Sequence, residues 1–136
     1  MSFSDFKSCI FSQYPKLAGE MTSMNDLQQY LDQQYPNECQ VIMKNEPITK
    51  PIAIIGVLDL KLPTTHWTVL LRNTYIDSFG LVPPVDVLKQ VATKLDYVNI
   101  HKFQKFNSSL CGIYCLYMIY VFKNNAKMLN KVIANM

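Results

Sequence analysis

Apolar side chains recur at helical spacing in two otherwise polar stretches of the chain. The first, residues 23–34, has a suitable N-cap in Ser23 and ends before Pro36. The second, residues 85–95, follows Pro84, a residue that suits the first turn of a helix. The predicted apolar faces consist of Met24, Leu27, Tyr30 and Leu31 in the first helix and of Val85, Leu88, Val91, Ala92 and Leu95 in the second. We therefore predict two amphipathic helices.

Four other segments have the residue pattern of β-strands. Residues 52–60 are β-branched and almost all apolar, which predicts a strand buried on both faces. A strand over 66–72 and a third strand over 75–77 are joined by a predicted tight turn at 73–74. Residues 97–103 alternate between apolar and polar and predict a fourth strand. Short connections of this kind favour a mostly antiparallel sheet.

A longer stretch, residues 109–122, contains no charged side chain and is apolar on every side of a helical projection. This pattern is typical of a helix buried in the middle of a domain. Ser108 or Ser109 can cap its N-terminus, which would put Cys111 in the first turn. A weaker helix is predicted over 126–136.

The composition supports one folded domain over residues 1–136. Hydrophobic residues make up 49% of the chain and charged residues 17%, which excludes a disordered protein. We predict an α+β fold in which a small, mostly antiparallel sheet packs around the buried central helix, with a candidate nucleophile at the N-terminus of that helix.

Charge and hydropathy narrow the class of partner. The net charge is +3 and no block of Lys or Arg occurs, which is compatible with weak DNA contact but does not indicate a nucleic-acid-binding protein. The longest apolar run, residues 113–122, is half of what a bilayer requires, so we expect no membrane partner. The N-terminal residues mix charge and polarity, and we expect no signal peptide.

The cysteines and histidines do not follow a metal-binding pattern. No two of the four cysteines have C-x-x-C spacing, and a chain of this length can build a core without disulfides. We expect free thiols, an intracellular reducing compartment and no metal. The chain contains four cysteines and two histidines: Cys9, Cys39, Cys111, Cys115, His66 and His101. We expect His101, inside the predicted fourth strand, to be an ordinary solvent-facing or core histidine without a catalytic role.

Cys111 is the strongest candidate for chemistry. Unpaired backbone N–H groups and the positive end of the helix dipole favour a thiolate in the first turn of a helix. The neighbouring Gly112 would let a substrate backbone approach the sulfur. The alternative is a cysteine that serves as a small core residue, and we assign that role to Cys115, one turn further along, and to Cys9 and Cys39.

Three further residues could complete a thiol hydrolase site. His66, where a loop meets a predicted strand, has a rigid and accessible position for a general base. Asp77, on the next predicted strand, could accept the other ring N–H of that histidine. Gln104, seven residues before Cys111, could donate to an oxyanion together with the Cys111 N–H. Alone, each has an ordinary interpretation: a solvated or core histidine, a turn aspartate, a solvated glutamine. Their joint occurrence favours a catalytic site.

The motifs that contain these residues resemble those of the adenovirus-type cysteine proteases, the adenain-like family. They are "THW" at 65–67, "YIDSFGLVPP" at 75–84, and Gln104 followed seven residues later by "CG" and an apolar helix. The similarity is greatest to relatives carried by Polinton-like elements and virophages, and it extends over about residues 22–122. One departure is Asp77, where adenain itself has glutamate.

The resemblance implies a papain-like fold and a role for each of the four residues. Cys111 would be the nucleophile, His66 the general base, Asp77 the orienting acid and Gln104 the oxyanion-hole donor. It also implies a viral endopeptidase that cleaves capsid or other virion precursor proteins near glycine during maturation, in the virion and the infected cell. The sequence itself requires no cofactor, whereas the family suggests an activating viral peptide or DNA.

Two alternatives stay open at this point. One is a virus-encoded deubiquitinase or ubiquitin-like-protein protease, which the small size of the chain disfavours because little of it remains to dock ubiquitin. The other is a non-catalytic, capsid-associated binding module that retains the fold. The presence of all four residue types ranks this module below the two proteases.

Overall fold

The computed structural model describes residues 1–18, 22–57, 66–91, 93–99, 101–104 and 110–136. The helices are α1 (Phe3–Gln13), α2 (Met24–Gln34), α3 (Val85–Val91), α4 (Cys111–Asn125) and α5 (Leu129–Ala134). The strands are β1 (Cys39–Met43), β2 (Ile52–Val57), β3 (His66–Leu71), β4 (Thr74–Ile76) and β5 (Tyr97–Val98). Single 3-10 turns lie at Pro15–Ala18 and Ala126–Met128.

The five strands form one mixed sheet in the order β1-β2-β3-β4-β5. The inner pairs, β2–β3 and β3–β4, are antiparallel, whereas β1–β2 and β4–β5 are parallel. The α+β class is as predicted, but the sheet is not mostly antiparallel. The sequence did not predict β1, and α3 carries the chain back after β4 so that β5 runs parallel to it.

The sheet is covered on both faces. One face packs against α2 and α4, and α1 packs on α4; all three helices belong to the larger core, to which β2 contributes Ile52 and Ile54. The other packs against α3, with Ala53 and Ile55 from the same strand. The prediction of a strand buried on both faces is therefore confirmed for β2, while residues 58–60 of the predicted strand lie outside the described residues. Helix α4 is buried around most of its circumference, as its composition predicts.

Helix α2 has the predicted bounds, and the Ser23 hydroxyl accepts the Asp26 N–H at 3.1 Å as an N-cap. Helix α3 is shorter than predicted, and Val85 is 66% exposed rather than buried. The buried face consists of Val87 and Val91, so the helix packs on the sheet in a different rotation from the predicted one. The predicted contact of Ala92 lies outside the described residues.

Other boundaries also differ from the prediction: β3 ends at Leu71, β4 (Thr74–Ile76) stops before Asp77, and α5 covers only part of the predicted 126–136. The hairpin turn between β3 and β4 is at residues 72–73, one residue early, with Arg72 at φ 57°. The predicted strand over 97–103 is reduced to Tyr97–Val98 because β4, its partner, is only three residues long. Helix α4 begins two residues later and ends three residues later than the predicted 109–122. Helix α1 had not been predicted.

No helix among the described residues is both long and apolar enough to span a bilayer.

Candidate active site

Cys111 is the first residue of α4, at the end where helical N–H groups have no partner within the helix. The N-cap is Leu110, whose apolar side chain cannot accept a hydrogen bond. The predicted caps, Ser108 and Ser109, lie outside the described residues. Cys111 is 7% exposed, so its thiol lies largely within the core instead of at an open surface.

The backbone of β3 contacts the sulfur directly. The Trp67 N–H donates to Cys111 Sγ at 3.4 Å. Because β4 pairs only with residues 69–71 of β3, it does not reach the backbone at Trp67. The indole ring packs over Gly56 of β2, where a Cβ would lie 2.9 Å from the ring, and this close packing fixes Trp67. A donor at this distance stabilises negative charge on sulfur. Sequence reasoning missed it because a backbone donor has no residue signature.

His66 and Asp77 are brought together by the β3–β4 hairpin. His66 begins β3, Asp77 follows β4, and His66 Nε2 donates to Asp77 Oδ1 at 2.6 Å. Each residue is 3% exposed. The expectation of an accessible histidine is therefore wrong. The Phe79 ring stacks on the imidazole with centroids 4.1 Å apart and planes 7° from parallel, which excludes solvent from that side.

The protonation of His66 depends on two neighbours. Burial lowers its pKa, but hydrogen bonding to Asp77 and to Cys111, together with attraction to their negative charges, raises the pKa to about 9. Nε2 is engaged with Asp77, whereas buried Nδ1 has no partner of ordinary hydrogen-bond geometry among the described residues. Nδ1 is thus the ring nitrogen that the bond to Asp77 leaves unoccupied.

Asp77 makes further hydrogen bonds besides the one with His66. Its Oδ1 also accepts the Phe79 N–H at 2.8 Å, a turn geometry typical of aspartate. Its carbonyl accepts the Gly80 N–H at 2.8 Å, with Gly80 at φ 72°, where glycine is favoured. Its backbone N–H donates to the Asn99 side chain at 2.7 Å. Asn99, which sequence reasoning missed, is a polar residue at the end of β5.

Gln104 is 2% exposed, so the interpretation as a solvated loop residue is wrong. Its backbone N–H donates to the Ser78 carbonyl at 3.0 Å, and the Ser78 hydroxyl donates to Gln104 Oε1. Since Oε1 is the acceptor for Ser78, the NH2 group of the same amide is left as a hydrogen-bond donor. The predicted loop from Gln104 back to Cys111 includes residues 105–109, which lie outside the described residues.

Gly112 lies against a neighbouring segment of the chain. A Cβ at this position would lie 3.3 Å from Thr22 Cβ, so the glycine accommodates that half-buried residue. Thr22 is fixed in turn because its carbonyl accepts the Trp67 indole N–H at 3.2 Å. Gly112 therefore allows close packing at the start of α4.

The other cysteines lack this environment. All four thiols are free. Burial raises the pKa of Cys39 to about 11 and raises that of Cys115 well above the ordinary value. His101 follows β5 instead of lying inside a strand, and its ring is exposed. Among the described residues, no group of three or more His, Cys, Asp or Glu side chains could hold a metal ion.

Comparisons of the chain with family models, curated proteins and solved structures find no match. The function therefore has to be inferred from the site itself. A thiol at a helix N-terminus, an imidazole and a buried carboxylate together have the chemical parts of a nucleophile, a base and its orienting group.

Proposed function

We propose that this protein is a cysteine endopeptidase with Cys111 as its nucleophile. The observation that carries the proposal is the buried His66–Asp77 hydrogen bond beside a cysteine that begins α4. The interaction with Cys111 that raises the His66 pKa supports the same assignment. The motif resemblance to the adenain-like proteases points to peptide-bond hydrolysis as the reaction.

In the proposed reaction, the Cys111 thiol transfers its proton to His66 Nδ1 and Sγ attacks the carbonyl carbon of the scissile peptide bond. The carbonyl oxygen becomes an oxyanion that accepts hydrogen bonds from the Gln104 amide and the Cys111 N–H. The carbon–nitrogen bond then breaks, and the leaving amine takes the proton from Nδ1. Water, deprotonated by His66, attacks the thioester carbon, which releases the carboxylic acid and regenerates the thiol.

The raised pKa of His66 suits this sequence of proton transfers. With a pKa of about 9, the imidazolium form is stable at neutral pH when it faces a thiolate. The ring therefore holds the proton that the leaving amine needs. Asp77 holds the Nε2 side of the ring and stabilises its positive charge.

The proposed substrates are viral capsid or other virion precursor proteins, cut near glycine in the virion or the infected cell. This part of the proposal rests on the motif resemblance. The same resemblance suggests an activating viral peptide or DNA, and the net charge of +3 is compatible with a polyanion.

One observation favours a second candidate, a non-catalytic binding module. Cys111 is 7% exposed and His66 3%, and a buried histidine–aspartate pair can also serve only to stabilise a fold. The two candidates differ in whether the Cys111 sulfur forms a covalent bond with a substrate.

Mass spectrometry of new peptide termini tests the proposal. The protein is incubated with capsid proteins from the same genome and with a peptide library rich in glycine. We expect cleavage by the wild-type protein and by Cys115→Ala, and none by Cys111→Ala. Equal cleavage by Cys111→Ala and wild type would overturn the assignment of the nucleophile. No cleavage of any substrate, with or without DNA and candidate viral peptides, would favour the binding module.

A further inference from the structure

Asn99 makes an unusually complete set of contacts with the backbone of Asp77. Its side-chain oxygen accepts the Asp77 N–H at 2.7 Å, and its NH2 group donates to the Asp77 carbonyl at 3.1 Å. The same NH2 group donates to the His101 carbonyl at 2.9 Å. Asn99 is fully buried, with an exposed fraction of 0%. A buried side-chain amide whose oxygen and NH2 group are all paired in this way restricts the conformation of the backbone that it binds.

The location of these contacts explains why they are needed. Strand β4 ends at Ile76, one residue before Asp77, and β5 ends at Val98, one residue before Asn99. The Asn99 N–H still donates to the Tyr75 carbonyl at 3.1 Å, but the ladder does not extend to Asp77. The Asn99 side chain, which has the same C=O and N–H groups as a peptide bond, satisfies the Asp77 backbone in place of another strand.

We propose that Asn99 is a positioning residue that fixes the backbone of Asp77 so that its carboxylate meets His66. The position of the Asp77 side chain depends on its backbone angles, and Oδ1 must lie within hydrogen-bond distance of both Nε2 and the Phe79 N–H. This inference rests on the proposed function for its catalytic meaning, because it assigns a residue that acts through the orienting acid.

The far edge of the sheet offers a matched control. Gln28 on α2 binds the backbone of β1 in the same way: Oε1 accepts the Val41 N–H at 2.8 Å, and Nε2 donates to the Cys39 carbonyl at 3.3 Å. Both side-chain amides therefore bind backbone N–H and C=O groups, Gln28 those of two residues within β1 and Asn99 those of the residue that follows β4, and of the two only Asn99 does so beside the candidate site. If Asn99 only stabilised the fold and did not position Asp77, Asn99→Ala would change the His66 pKa no more than Gln28→Ala does.

The test is NMR titration of the His66 ring in wild type, Asn99→Ala and Gln28→Ala, together with the rate of Cys111 alkylation by iodoacetamide. Asp77 and Cys111 are the titratable groups that face this ring. We expect the His66 pKa to fall from about 9 toward 6.5 in Asn99→Ala and to stay unchanged in Gln28→Ala. Alkylation should slow by roughly tenfold to a hundredfold in Asn99→Ala only, in line with the cost of misplacing a catalytic group.

A folded Asn99→Ala protein with wild-type His66 pKa and alkylation rate would overturn the inference. If Asn99→Ala does not fold, Asn99→Ser takes its place, and a wild-type His66 pKa in that variant would equally overturn it. Both readouts are independent of peptide cleavage. A shifted pKa in a protein that cleaves nothing would leave the positioning role in place and remove the proposed function, whereas unchanged cleavage and pKa in Asn99→Ala would do the reverse.

Discussion

Cys111 and Cys115 are the same residue type, lie one turn apart on α4, and are both buried, at 7% and 4% exposure. Their surroundings nevertheless differ. At Cys115 burial raises the thiol pKa well above its ordinary value. The sulfur of Cys111 accepts the Trp67 N–H, and its interaction with His66 raises the pKa of that ring. A displacement of four residues along one helix thus separates a core thiol from a thiol that has an imidazole and an N–H donor beside it.

The comparison shows which part of the environment matters. Burial is common to both thiols and cannot distinguish them. The difference comes from the end of the helix and from the start of β3, which together supply N–H donors and an imidazole. Experiments that remove one of these parts should make Cys111 resemble Cys115.

The largest effect is expected from Asp77→Asn. This change keeps an oxygen for the Phe79 N–H but removes the charge that stabilises the imidazolium, so peptide cleavage should fall roughly 10³-fold in kcat/KM. The matched control is Asp96→Asn, which alters an exposed carboxylate that binds the Asn73 amide, and it should cleave as wild type does. Cleavage by Asp77→Asn within threefold of wild type would mean that the Asp77 charge does not account for the difference in reactivity between Cys111 and Cys115.

A smaller effect is expected on stability as the pH rises. The pKa of His66 in the folded protein, about 9, lies above its ordinary value of 6.5, so the folded state binds this proton more tightly. The resulting stabilisation is complete below pH 6.5 and is lost as the pH rises through about 9, at a cost of about 3 kcal/mol.

Urea unfolding at a series of pH values measures this loss. His66→Gln serves as the reference, since it retains the other titrating groups, including Cys115 and the buried tyrosines. The free energy of unfolding of the wild-type protein should fall more steeply between about pH 6 and pH 10 than that of the variant. Parallel curves would show that His66 is not held in its charged form.

The sequence predicts those parts of the fold and site that depend on short-range pattern. The capped helix α2, the buried strand β2 and the buried helix α4 follow from residue spacing. The neighbouring positions of His66 and Asp77 follow from a short hairpin, whose register places residues eleven apart within contact. In each of these cases the information lies within a few adjacent residues.

The remaining features depend on contacts between distant parts of the chain. The parallel pairing of β1 with β2 and the rotation of α3 are set by packing, which spacing alone does not determine. The burial of His66 depends on the Phe79 ring, and the role of Asn99 depends on where two strands stop. A lone asparagine after a strand has many ordinary explanations, so no local signal could have selected it.

The most direct test of the central claim is the rate at which each thiol reacts with iodoacetamide at neutral pH, resolved by mass spectrometry of the separate peptides. The thiolate is the form that attacks iodoacetamide, so a thiol that can pass its proton to a neighbouring imidazole should react faster than an isolated one. We predict that Cys111 reacts faster than Cys9, Cys39 and Cys115, and that His66→Ala slows it about tenfold. A Cys111 that reacts as slowly as Cys115, or at a rate that His66→Ala leaves unchanged, would contradict the account.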